Sequence, residues 1–135
     1  SLTIDVNEII SRFGSITTFH PSRTAEPGFH GKSAADIRVR AKSGQGTLYI
    51  FAFGQDGGKG KGSMMGGGNG GNSPRVLIEI ANASNIRVYP EAAPGEGGAP
   101  GDGSTAGPGS RGSKEPICLK LSGYPFGDCY WVDKK

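Results

Sequence analysis

At 135 residues with 34% hydrophobic content, the chain is one domain's worth of sequence with material for only a small core. Its net charge of +3 comes from scattered Lys and Arg, not from the clustered, aromatic-interleaved pattern of a nucleic-acid surface. No run nears the roughly 18 apolar residues of a membrane-crossing helix, so no membrane insertion is expected, and no signal-peptide pattern is visible.

Residues 1–34 read as an N-terminal attachment segment. Leu2, Ile4 and Val6 alternate at period two, as in a half-buried strand. Residues 8–13 suit either a short helical turn or a second strand, and residues 16–19 alternate again. Pro21, Pro27, Gly28 and Gly31 then break regular structure and leave a loop over residues 20–33.

Residues 35–112 carry a weak internal repeat of two copies. An alternating strand at residues 37–41 leads through a turn at residues 43–46 to an apolar strand at residues 48–53, and a glycine tract follows. About 39 residues later the order recurs: a strand at residues 76–81, a turn at residues 82–85, a strand at residues 86–89 and a second tract. Repeats of such length usually stack and bury their apolar faces on one another. Residues 113–135 form a C-terminal hairpin, with strands at residues 117–121 and 129–132 around an aromatic loop. It brings Cys118 and Cys129 opposite one another, either bridged or as two reduced thiols on facing strands. The expected fold is therefore all-β, with short antiparallel strands, little or no helix, and a glycine-rich polyproline-II-like layer.

The tracts, residues 54–71 and 94–112, hold 18 of the 25 glycines. Glycine lets backbones approach closely, and a polyproline II helix has three residues per turn, so glycine at every third position bares one edge for packing. In the second tract Gly95, Gly98, Gly101 and Gly107 share a phase, with Ser104 small in register and Pro94, Pro100 and Pro108 restricting φ. In the first, Gly57, Gly60 and Gly66 share a phase with Ser63 and Asn69. The interruptions exclude collagen, whose axis admits only glycine. The spacing is not that of Walker A and no helix can follow, which argues against a nucleotide loop.

Short β-runs interleaved with interrupted glycine tracts resemble the receptor-recognising tip adhesins of T-even-type phage tail fibres. The resemblance covers only the two tracts. It implies stacked polyproline II helices with protruding variable residues that grip a bacterial surface receptor, either an outer-membrane protein or a glycan. It also implies other fibre or tail subunits as partners, a homotrimer among the options, and a virion-tail or extracellular location. The receptor-binding candidates are then Lys59, Lys61, Met64, Met65, Asn69 and Thr105 in the tracts, and Tyr124, Phe126 and Trp131 in the aromatic C-terminal segment. Core filling is the alternative for the aromatic group.

No catalytic constellation is legible. His20 and His30 both fall in the Pro/Gly-rich loop without a nucleophile or acid at motif spacing. Two cysteines far from either histidine do not suggest zinc, and no cofactor is expected. The function expected is non-enzymatic binding. The alternatives are a structural virion or filament component, and an ice-binding protein, against which the charges of Lys59, Lys61, Glu96 and Asp102 count.

Overall fold

The computed structural model describes residues 2–19, 23–62 and 65–121, and the backbone alone of residues 128–131. Five strands follow in chain order: β1 (Leu2–Thr17), β2 (Ile37–Phe53), β3 (Val76–Ala93), β4 (Pro116–Leu121) and β5 (Asp128–Trp131). They form one sheet in sequence order, and the described residues contain no helix. β1, β2, β3 and β4 pair in parallel, and β5 alone is antiparallel, on β4.

The expectation of short antiparallel strands is thus corrected. Parallel pairs need a long crossover, and the glycine tracts are the crossovers from β2 to β3 and from β3 to β4. The expectation failed for a physical reason. Clean apolar–polar alternation marks a sheet wet on one face, which is ordinarily antiparallel, whereas parallel strands are usually buried on both. Here the strands are parallel and still have one wet face.

Each long strand folds back on itself. Seventeen extended residues would span about 55 Å, yet the ends of β2 lie close together. Just past its C-terminal end, Gln55 N–H donates to Lys32 O and Gln55 O accepts from Gly71 N–H. Ala34, just before its start, donates to Asn72 O, against which Gly54 is packed. The reversal falls where the pairing register shifts, between Arg12 and Gly14 for β1 and between Ser43 and Gln45 for β2. Phe13 (φ 59°) and Gly46 (φ 96°) turn the chain there. A Cβ on Gly46 would lie 1.8 Å from Ser11 O, so only glycine fits. Ser11 stitches the bend, its hydroxyl donating to Thr47 O at 2.7 Å and accepting from Gly14 N–H at 3.0 Å. In β3, Asn82 Oδ1 accepts from the Ser84 N–H and hydroxyl at the equivalent place.

The two arms of each strand therefore face one another across side chains, while their backbone groups pair with the neighbouring copies. Ile37, Val39 and Ala41 from the first arm of β2 share one buried cluster with Leu48, Ile50 and Ala52 from the second. Val76, Ile78 and Ile80 join Ile86 and Ala92 of β3 in it, and Ile117 and Leu121 of β4 extend it. β1 contributes Ile4, Ile9 and Ile16, which are only partly buried because β1 is an edge strand. On the outer face, Asp5, Arg40, Glu79 and Lys120 stand in register across four strands with alternating charge. Opposite charges at each step favour this register over a slipped one.

The tracts are not single helices running through one phase. Each travels out, turns and returns, as residues 54–60 and 66–73 do, followed by residues 94–101 and 107–113. Donors recur every third residue: Gly54, Gly57 and Gly60 donate to Ala93, Glu96 and Ala99, and Gly67, Gly70 and Ser73 donate to Gly107, Ser110 and Ser113. That is the period of polyproline II. A second phase ties outgoing to returning segments, as in Gly68 N–H to Gly58 O and Gly98 N–H to Gly68 O. The loop at residues 24–34 makes the same bonds, among them Ala25 N–H to Asp56 O and Gly31 N–H to Asn69 O. Residues 2–19 and 24–34 therefore belong to a third copy of the repeat.

The third phase has no main-chain partner and is closed by side chains of the preceding copy. Asn69 N–H donates to His30 Nδ1 and Ser110 N–H to Asn69 Oδ1. Asn72 N–H donates to Ser33 Oγ and Ser113 N–H to Asn72 Oδ1. Replacing Asn72 by Ala leaves the Ser113 donor without its partner. A loss of about 1 kcal/mol is expected, readable as a lower urea midpoint with unchanged slope.

Candidate functional site

At the end of the glycine layer farthest from the sheet, the described residues are 59–62 and 65 of the first tract and a turn at residues 102–106 of the second. Gly62 (φ 90°) and Gly103 (φ 74°) reverse the chain there. Gly101 N–H to Met65 O and Gly60 N–H to Ala99 O hold the two tracts together. The outermost turn closes through Ser104 N–H to Gly101 O and Ala106 N–H to Ser104 Oγ.

This end gathers four of the expected contact residues. Lys59 is exposed and its Nζ donates to Asp102 Oδ1 at 2.7 Å. That hydrogen bond, and then the lysine charge, hold the Asp102 carboxyl below its usual range. Lys61 and Thr105 are exposed, and Met65 keeps 42% of its surface in solvent. Met65 and Lys61 both lie against Gly28, so a sulfur-bearing side chain beside a cation offers a mixed apolar and ionic contact surface.

The other expected residues are placed differently. Asn69 is exposed, but its side chain and backbone both serve the ladder between copies. Met64, Tyr124 and Phe126 lie outside the described residues, and Trp131 is described only as backbone at the end of β5, paired with Pro116. Cys118 is disulfide-bonded, and Cys129 is its register partner on β5.

His30 spends Nδ1 on the Asn69 amide, and His20 lies outside the described residues. Among the described residues no group of three or more His, Cys, Asp or Glu is arranged to hold a metal ion.

A feature that sequence reasoning missed lies on the outer face of the second arms. Tyr89, Tyr49, Phe51 and Phe53 form a continuous aromatic row. The ring centroids are 5.5 Å apart for Tyr49–Tyr89, 6.1 Å for Tyr49–Phe51 and 6.2 Å for Phe51–Phe53. The signal was present: in residues 48–53, Leu48, Ile50 and Ala52 take one face and three aromatics take the other. No family model, no curated protein and no solved structure matches this chain.

Proposed function

We propose that this protein is a non-enzymatic attachment module, the receptor-binding or terminal domain of a phage tail fibre or tail tip that grips a bacterial surface. One observation carries the reading: a scaffold locked by main-chain bonds has, at its end, Lys59, Lys61, Met65 and Thr105 exposed to solvent. A rigid support lowers the ordering cost of binding. The resemblance of the tracts to tail-fibre tip adhesins points the same way, and the disulfide at Cys118 fits an oxidising, extracellular setting.

The test is adsorption of the purified protein to bacterial cells and outer-membrane fractions. The double variant Lys61→Glu with Met65→Ser should lose at least tenfold in adsorption while its melting temperature stays within about 2 °C, because surface substitutions usually cost under 0.5 kcal/mol. A large fall in melting temperature would instead make these side chains packing elements.

A structural, fibre-forming role is the second reading, and a specific observation favours it. β1 is an edge strand of the sheet and exposes Leu2, Val6, Ile10 and Phe13. Outer strands of this kind recruit further strands. Absence of adsorption to any host, together with concentration-dependent assembly in solution, would select that reading.

A further inference from the structure

We infer that this protein pairs with a second copy of itself across the β1 edge, strand antiparallel to strand, with the two glycine layers pointing in opposite directions. The contact uses none of the residues at the far end of the glycine layer, so it stands apart from the attachment reading.

The apolar surface of the molecule is concentrated at this edge. Among the described residues, five of the seven exposed large apolar side chains belong to the first copy in chain order: Leu2, Val6, Ile10, Phe13 and Phe29. Leu2 and Val6 are register partners of Ile37 and Ala41, which are buried in β2. They continue the rows that form the core, so the core between the arms is open at β1. What completes it must present apolar side chains along an extended edge.

Another copy of the repeat, stacked in parallel, does not fit there. Later copies turn glycines toward the copy before them. A Cβ on Gly68 would lie 2.1 Å from Phe29 O, and one on Gly71 would lie 2.0 Å from Lys32 O. Gly109 and Gly112 stand in the same relation to Gly68 O and Gly71 O, at 1.9 Å and 2.0 Å. The first copy has Phe29 and Lys32 at those positions, both exposed. Their side chains fill the space that a preceding glycine segment would need. On the opposite side, Gly67 and Gly70 pack on Gly98 O and Gly95 O, and the equivalent residues one copy later are Pro108 and Arg111. The glycine layer is thus closed to further copies on both sides.

Edge length selects the mate. β1 has 16 residues and β5, at the other edge of the sheet, has 4, so a head-to-tail contact would leave most of β1 uncovered. A second β1 matches it over its full length, as a two-fold contact requires. Charge allows the match: residues 2–34 hold Asp5, Glu8 and Glu26 against Arg12, Arg23 and Lys32, three acids to three bases in a chain of net charge +3. Two two-fold arrangements set β1 antiparallel on β1. In one the glycine layers also meet, which Phe29 and Lys32 oppose. In the other the layers point apart, and the bend of each molecule, with Ile10 and Phe13, lies over the base of the other's arms, where Leu2 is exposed.

Sedimentation equilibrium of the whole chain tests this. The mass should rise from one chain toward two between about 1 and 500 µM, as for a small, transient interface, and rise no further. Val6→Glu and Ile10→Glu should each weaken pairing at least tenfold. Ile10 is 73% exposed, so its variant should keep the melting temperature of the dilute protein even where Val6→Glu lowers it. Phe29→Ala should leave pairing unchanged, because Phe29 lies outside the contact. A single-chain mass at about 500 µM would overturn the inference. So would growth beyond two chains, or pairing that Ile10→Glu does not alter. Pairing weakened by Phe29→Ala would mean that the glycine layers meet, and would overturn it as well.

Discussion

Replacing Gly98 by Ala should disrupt the glycine layer and lower stability more than any exposed substitution. A Cβ at this position would sit 2.1 Å from Gly58 O and 2.8 Å from Gly57 O, both backbone atoms that cannot swing aside. Gly98 also donates to Gly68 O at 2.7 Å and accepts from Gly109 N–H at 2.9 Å, so it links three neighbouring segments. Separating those segments forfeits two or three hydrogen bonds, each with a net value of about 1 kcal/mol, and overpacking adds about 1–3 kcal/mol. A loss of about 4 kcal/mol is a large share of the stability of a domain this size. It should appear as a melting temperature lower by on the order of 15 °C. Gly107→Ala is the matched comparison. Nothing lies within 4 Å of a Cβ there and its φ is not positive, so the same chemical change should be neutral or slightly stabilising. Equal melting temperatures for the two variants would mean that residues 94–101 are not packed as described.

Ile78→Ala should carry the second-largest cost. Ile78 is fully buried on the central strand, with Val39 and Leu119 as register partners on either side. Its removal leaves a cavity between arms whose backbones are held by ladders in both directions, so collapse around the void is limited. Large-to-small changes of this type cost about 2–5 kcal/mol. Urea unfolding followed by circular dichroism should show a clearly lower midpoint with an unchanged slope. Ile10→Ala, at a side chain 73% exposed on β1, removes the same atoms and should shift the midpoint little. Comparable shifts for the two would contradict a core enclosed between folded-back arms.

The signals visible in the residues and those hidden in them divide along physical lines. In residues 37–41, 48–53 and 76–81 the buried aliphatics fall at every second position, a signal the residues carry because side-chain period does not depend on which strand is the neighbour. The turn at residues 43–46 was legible from Gly44 and Gly46, and it is the bend of β2. Pairing direction was not legible, since a wet outer face gives the same alternation to parallel and antiparallel strands. The first copy of the repeat went unseen because it has few glycines. Residues 24–34 make the same main-chain bonds as the long tracts with only Gly28 and Gly31. Asn69 illustrates the same limit at the site. A polar residue among glycines reads as a protruding contact, but here it closes the Ser110 donor of the next copy.

By itself the sequence determined that strands and glycine segments alternate, which side chains are apolar in register, and where the chain must reverse. These are properties of single segments, set by periodicity and by the steric freedom of glycine. Only the tertiary structure decided that each strand folds over its own core, that copies pair in parallel, and that each tract doubles back. It also decided that Lys59, Lys61, Met65 and Thr105 share one end, and that Tyr89 stacks on the aromatic run of β2. Those outcomes depend on which backbone donors and acceptors meet at a distance of about 40 residues, and no local pattern encodes that choice.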